Sequence, residues 1–284
     1  MASSHRVWLI TGASSGFGRA MAELALKNGD KVAATLRNPS ALDDLVALHP
    51  TGNLLVLKVD VTQSEHTTAA FTQAYEKFGR IDIVFNNAGL LTIGEIEAFP
   101  EDEARKLFEV NFWGAVHVTR EALRQFREVN KPAGGHLLNV SSAGGIVGIP
   151  GNAYYCATKF ALEGFSEAAA KEVDPSWNIK VTIVEPGPFA TKMVKENIKR
   201  VPNHPAYADP KMPGNQFAAF ITSPQDGDTI KAVAQIDKLT RLDSPPLRFP
   251  IHRDPIGAAR AKSQEWKEVA DKWESWSEDV YLEK

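Results

Sequence analysis

Residues Thr11-Gly12-Ala13-Ser14-Ser15-Gly16-Phe17-Gly18 decide how the rest of the chain is read. An apolar run, Val7 to Ile10, leads into them, and Gly16 to Lys27, with apolar residues at helical spacing, leads out. A short apolar run bounded by Thr-Gly predicts a buried strand, and Asn28-Gly29 supplies a helix stop. Glycines let the backbone turn sharply between strand and helix. The helix N-terminus then offers free N–H groups and a partial positive charge to a pyrophosphate.

Outward from this turn the alternation repeats. Val32–Leu36, Leu54–Val59, Ile81–Phe85, His136–Val140 and Ile179–Val184 read as strands. Between them, Ala41–Leu48 reads as a helix stopped by Pro50, and Thr62-Gln63-Ser64-Glu65 as a capping box opening a helix that ends near Phe78-Gly79. Pro100-Glu101-Asp102-Glu103 places Pro in the first turn of a long helix, with acids at the positive end of its dipole. Tyr154–Val173 is the next helix. Strands alternating with long helices imply an α/β fold, a single doubly wound parallel sheet with helices on both faces. Pro202, Pro205, Pro210, Pro213 and Pro224 exclude a long regular helix over 201–226. We therefore expect one domain over 1–284, with 192–245 a variable insertion over the sheet edge and 255–284 a C-terminal helical extension.

Composition narrows the function. The chain has 284 residues, 43% apolar and 24% charged, with a net charge of -3, which excludes wholesale disorder and argues against a nucleic-acid partner. The lone Cys156 excludes an intrachain disulfide and reads as helix packing. Histidines at 5, 49, 66, 117, 136, 204 and 252 show no paired ligand spacing, so no metal site is expected. Val7–Ile10 is too short for a signal-peptide core. The charge-free stretch Pro132–Thr158 holds Asn139, Ser141, Ser142, Asn152 and six glycines, so it is no membrane span. A cytoplasmic protein is the expectation.

The spacing Thr-Gly-x-x-x-Gly-x-Gly resembles the short-chain dehydrogenase/reductase family. Further segments in the right order carry the same resemblance: Asn86-Asn87-Ala88-Gly89, Asn111, Ser142 with Tyr155-x-x-x-Lys159 thirteen residues beyond, and Pro186-Gly187 with Thr191. They span residues 7 to 191. Pro245-Pro246-Leu247-Arg248-Phe249-Pro250 is similar to the branch holding 17β-hydroxysteroid and retinol dehydrogenases. The family implies a Rossmann-like fold and a nicotinamide cofactor. That cofactor would be held by Gly12, Ser14, Ser15, Gly16, Phe17 and Gly18, by Asp60 and Val61 at the adenine, and by Asn87, Ala88 and Gly89 near the ribose. Pro186, Gly187 and Thr191 would meet the nicotinamide end, together with Tyr155 and Lys159.

Charge selects the cofactor. An acid at the end of the second strand would bind the ribose hydroxyls of NAD and repel the 2′-phosphate of NADP. Leu36 and Arg37 stand there instead, and Asp30 lies at the wrong end of the strand. Arg37 can fork onto a phosphate, with Ser14 or Ser15 adding a hydroxyl, so NADP(H) is expected.

Tyr155 and Lys159 lie four apart on a helix and share a face. A free tyrosine titrates near pH 10; a shift of about 3 units needs roughly 4 kcal/mol, part of it from the neighbouring Lys159 ammonium and part from the positive charge of an oxidised nicotinamide. Tyr155 would exchange a proton with the substrate oxygen, which Ser142 would hold by a hydrogen bond. By resemblance, Lys159 would grip the nicotinamide ribose and Asn111 would support a water relay to it. Tyr154 fails as a rival because its partner four on is Thr158, and Ser141 points to the face opposite Ser142.

Ile146-Val147-Gly148-Ile149-Pro150, Leu90, Leu91, Ile93, Phe189, Met193, Phe217 and Phe220 would line an apolar pocket, suiting a hydrophobic ketone, aldehyde or secondary alcohol. Trp266, Val269, Trp273, Trp276 and Val280 recur at helical spacing and are expected to pack on the domain, or else to close the cleft or meet another subunit. A homodimer or homotetramer follows by resemblance. Two rivals remain: a non-catalytic NADP-binding regulator, which usually lacks the tyrosine or lysine, and a nucleotide-sugar epimerase, whose first glycines are spaced differently.

Overall fold

A computed structural model describes residues 5–49, 52–191 and 198–282. In chain order the strands are β1 (Val7–Thr11), β2 (Lys31–Leu36), β3 (Leu54–Lys58), β4 (Ile83–Asn86), β5 (Thr92–Ile93), β6 (Gly135–Val140), β7 (Ile179–Pro186), β8 (Lys199–Arg200) and β9 (Arg248–Ile251). Seven of them form one parallel sheet in the order β3-β2-β1-β4-β6-β7-β9, while β5 and β8 pair separately. The expected doubly wound sheet is thus present.

Each strand of such a sheet is covered on both faces, so alternate residues enter two cores. Trp8 and Ile10 join a core completed by α1 (Gly16–Lys27) and the helix Thr229–Leu239, through Met21, Ala25, Val233 and Ile236. Val7 and Leu9 join the opposite core with Phe71 and Ala74 of α3 (Ser64–Phe78) and Val118 and Ala122 of the helix Gly114–Arg124. Gly29 (φ +82°) and Gly79 (φ +81°) take the left-handed conformations that close α1 and α3.

Several local readings need correction. The second crossover starts as a tight turn, Pro39–Leu42, before α2 (Asp43–Leu48); Pro50 lies outside the described residues. The capping box does not form. Thr62 gives both its N–H (3.0 Å) and its hydroxyl (2.8 Å) to Asp60 Oδ1, so Gln63 is the N-cap and α3 begins at Ser64. Pro100 is itself the N-cap of α4 (Glu101–Phe108), which runs through a π turn (Glu109–Trp113) into α5 (Gly114–Arg124). α6 is Ala153–Glu172.

The region 192–245 divides. α7 (Pro213–Thr222) lies over the cleft, with Pro213 opening the helix rather than breaking it. α8 (Thr229–Leu239) instead packs on α1 in the core layer. β9 was missed because Pro250 lies inside it. As the outermost strand it has a free side where a missing N–H costs nothing.

α9 (Arg253–Trp273) contradicts the expectation that its tryptophan face packs on the domain. Trp266 is 68% exposed and Trp276, beyond the helix, 75% exposed. Only the start of α9 approaches the body, where Pro255 is buried. No helix among the described residues is long and apolar enough to cross a membrane, and no metal-binding cluster is found among them.

Candidate active site

The C-terminal ends of β1, β4, β6 and β7 open on a cleft of about 1120 Å³. β1 and β4 are sheet neighbours although the chain leaves in opposite directions from them, and ligands bind α/β sheets at such a switch point.

Close packing shapes the glycine turn. Gly12 has φ +67°, and a Cβ there would lie 2.9 Å from Ala88 Cα. A Cβ on Gly18 would lie 2.8 Å from Asn87 Nδ2 and closer still to the Gly12 carbonyl. Gly18 therefore lets α1 seat against the turn and does not itself line the cleft, whereas Gly12, Ser14, Ser15, Gly16 and Phe17 do. Thr11 Oγ1 accepts the N–H groups of Asn87 (2.9 Å) and Ala88 (3.0 Å), and Asn87 Nδ2 donates to the Thr11 carbonyl (3.0 Å). This ties β1 to β4 where the cleft begins. The first turn of α1 carries no acid and Ser15 makes no capping bond, so its N–H groups are left for an anion. The turn fits the pyrophosphate of a dinucleotide.

At one end of the cleft stand Leu36, Arg37, Asp60 and Val61. Burial opposes ionisation of Asp60, but two hydrogen bonds from Thr62 and the Arg37 charge hold its carboxyl below the usual range. Asn87, Ala88 and Gly89 line the middle; Pro186, Gly187 and Thr191 line the far side.

Tyr155, Lys159 and Ser142 converge there. Lys159 Nζ lies 5.7 Å from the Tyr155 ring centre and donates to the Val140 carbonyl at 2.9 Å. Burial lowers Lys159 to about 8, although Glu163 works against this. Burial pushes Tyr155 up to about 12, against a lowering hydrogen bond with Ser142. The depressed tyrosine expected from the sequence is therefore not a property of the protein alone. The ammonium sits by the ring rather than on the phenol oxygen, and desolvation wins. Ser142 Oγ also accepts the Gly144 N–H at 3.2 Å.

Asn111 does not line the cleft. Buried in the π turn, it accepts the Leu90 N–H (2.7 Å) and donates to the Leu90 carbonyl (2.9 Å). It reaches the site through Gly89, where a Cβ would lie 3.3 Å from Asn111 Oδ1 and 3.8 Å from Lys159 Nζ.

Of the apolar residues expected here, Leu90, Leu91, Val147, Ile149, Phe189, Phe217 and Phe220 line the cleft. Ile93 instead packs beneath α7 with Ala218 and Ile221, while Ile146, Gly148 and Pro150 do not line the cleft. Met193 lies outside the described residues. Sequence reasoning missed Asn152, a buried cleft residue whose Oδ1 has no partner among the described residues, although its place three before Tyr155 was a signal. It also missed Asp254 and Ala258, brought in by the start of α9.

A family model described as short chain dehydrogenase matches residues 6–202. The chain is 38% identical to oxidoreductase calM of Penicillium decumbens, over 92% of this chain and 88% of that one. A short-chain dehydrogenase from Streptomyces avermitilis superposes with a TM-score of 0.88 at 37% identity, covering 98% of this chain and all (100%) of that one. A short chain dehydrogenase from Burkholderia cenocepacia, solved with NADP, superposes with a TM-score of 0.72 at 25% identity, covering 96% and 98%. Sheet order, glycine turn and sequence match agree: the chain belongs to the short-chain dehydrogenase/reductase family of oxidoreductases.

Proposed function

We propose that the chain is an NADP(H)-dependent carbonyl reductase and alcohol dehydrogenase, acting on apolar ketones, aldehydes or secondary alcohols. One observation carries the reading: Tyr155, Lys159 and Ser142 face the same cleft as the glycine turn. NADPH, when bound, supplies the hydride that reduces the carbonyl carbon.

The chain's own residues handle the proton. Tyr155 donates it from its phenol to the carbonyl oxygen, and Ser142 holds that oxygen. Lys159, fixed by the Val140 carbonyl, lends positive charge to the phenolate left behind. Asn111 holds the Leu90 backbone that walls the site. Alcohol oxidation reverses these steps.

Arg37 beside Leu36 supports NADP over NAD, because a guanidinium can fork onto a 2′-phosphate. Phe189, Phe217, Phe220 and Ile149 support an apolar substrate. By family resemblance the working unit is a homodimer or homotetramer, and the lone Cys156 supports a reducing, cytoplasmic setting.

The test follows absorbance at 340 nm with NADPH or NADH and a panel of apolar aldehydes and ketones, beside Tyr155→Phe. Turnover with NADPH that vanishes in the variant is expected. Preference for NADH would overturn the cofactor reading, and turnover surviving in Tyr155→Phe would overturn the acid–base assignment.

A further inference from the structure

Beneath the Ser142 loop, four elements bring polar side chains together. Ser141 follows β6, Glu163 lies on α6, Glu185 on β7 and Arg248 on β9. Ser141 Oγ donates to Glu163 Oε1 at 2.6 Å. Arg248 Nη1 donates to Glu163 Oε2 and, at 2.7 Å, to Glu185 Oε1, while Nη2 reaches the more exposed Glu167 at 3.3 Å. Ser141, Glu163 and Glu185 are buried. Gly145 rests on the Glu163 carboxylate and Ser141 hydroxyl so closely that no Cβ would fit.

The placement relates to the reaction. Tyr155, Lys159 and Glu163 follow one another at intervals of four on α6, so they share a face. Lys159 holds the Val140 carbonyl and Glu163 holds the Ser141 hydroxyl. The two residues before Ser142 are thus tied to the helix that carries Tyr155. A purely structural ion pair has little need of this arrangement. Two buried acids on one guanidinium are costly, and apolar side chains of equal volume would serve stability as well.

We infer that Glu163 is a positioning residue for proton transfer: it locks the Ser142 loop to α6 and supplies the negative charge that keeps Lys159 an ammonium. The inference rests on the reading of Tyr155 and Lys159 as the acid–base pair. The charges facing Glu163 are Lys159 on its own helix and Arg248 on β9, with Glu185 on β7 and Glu167 next to Arg248.

Two variants separate the two roles. Glu163→Gln keeps an oxygen for Ser141 and removes the charge. Without that negative charge, Lys159 and Tyr155 release protons more easily. The rise of kcat/KM with pH in secondary-alcohol oxidation with NADP+ should therefore move to lower pH, by on the order of half a unit. The pH at which NADPH binding weakens on the alkaline side, read by NADPH fluorescence without substrate, should move the same way. Ser141→Ala keeps the charge and loses the hydrogen bond, so kcat should fall about tenfold with the profile in place.

A folded Glu163→Gln protein, judged by its thermal midpoint, whose pH profiles superimpose on the parent's would overturn the inference. If that variant fails to fold, Ser141→Ala decides: an unchanged kcat overturns it. Tyr155→Phe, run alongside, keeps the two readings apart. Its survival would sink the acid–base assignment; its death, with Glu163→Gln and Ser141→Ala like the parent, would sink only the role of Glu163.

Discussion

Lys159 Nζ donates to the carbonyl of Val140, the last residue of β6, at 2.9 Å. This bond fixes a buried ammonium at the end of the strand that leads to Ser142, 5.7 Å from the centre of the Tyr155 ring. The ammonium titrates at about 8 and the phenol at about 12, burial driving both. On the proposed mechanism alcohol oxidation needs the Tyr155 phenolate, and burial raises Tyr155, so kcat/KM for oxidation should rise with pH through the neutral and mildly alkaline range. Lys159→Met should cost at least about a hundredfold at all pH, since it removes the charge beside Tyr155 and, on the proposed reading, the contact to the nicotinamide ribose. A pH–rate profile of the two proteins checks this; a profile flat from pH 6 to 9 in the parent would contradict it.

Arg37 lines the cleft beside Asp60, where the proposed cofactor would place its adenosine. Replacing it with Ala should weaken NADPH by ten- to a hundredfold, about the worth of a charge-assisted bond, and should weaken NADH far less. Steady-state KM values for both cofactors give the answer. Equal losses for the two would mean that Arg37 does not meet a 2′-phosphate.

Gly18 tests the turn without touching the chemistry. Its added Cβ would press on the Gly12 carbonyl and come within 2.8 Å of Asn87 Nδ2, which donates to the Thr11 and Gly12 carbonyls. Gly18→Ala should lower stability by about 1–3 kcal/mol and abolish measurable NADPH binding. Denaturant midpoints and fluorescence titration read the two effects. Normal binding would show that α1 can shift without disturbing the phosphate cradle.

The parallel sheet and glycine turn were legible because each rests on short-range pattern. Runs such as Val7–Ile10 are bounded by glycine, and α1 begins and ends where spacing and Asn28-Gly29 put it. The face shared by Tyr155 and Lys159 was likewise legible from helical geometry. Contacts between distant segments were not. Glu163 meets Arg248 across 85 residues. Asp60 took the Thr62 hydroxyl that the capping box required. Burial, which sets the pKa values of Tyr155 and Lys159, belongs to the folded cleft rather than to the spacing.

His136, buried on β6, carries a different pH dependence. Its Nε2 lies 3.0 Å from Thr182 Oγ1, whose own proton goes to the Pro246 carbonyl, so Nε2 is the protonated nitrogen. Nδ1 is buried with no partner among the described residues. Burial lowers this histidine from 6.5 to about 3. Below pH 6.5 the unfolded chain takes a proton that the folded one refuses, so stability falls as pH drops from 6.5 toward 3. At pH 5 the loss is about 2 kcal/mol. Glu185, raised to about 7, works in the opposite direction, but it is common to parent and variant. Urea unfolding at pH 7 and pH 5 should show a smaller difference for His136→Asn than for the parent. Equal differences would mean that His136 is hydrated in the folded state.

The tryptophan face of α9 yields the opposite kind of prediction. Trp266 and Trp273, 68% and 44% exposed, lie on a helix whose far part leaves the body of the protein, and Trp273 meets Trp276 edge to face at 5.0 Å. Apolar area that stays in water on folding adds nothing to stability, so helical spacing alone does not make a core. Truncating both residues to Ala should change unfolding free energy by no more than about 0.5 kcal/mol. The result should hold from micromolar to millimolar protein. A loss of about 2 kcal/mol that grows with concentration would mean that a second copy covers the face; the same loss without concentration dependence would mean that α9 folds back onto its own domain.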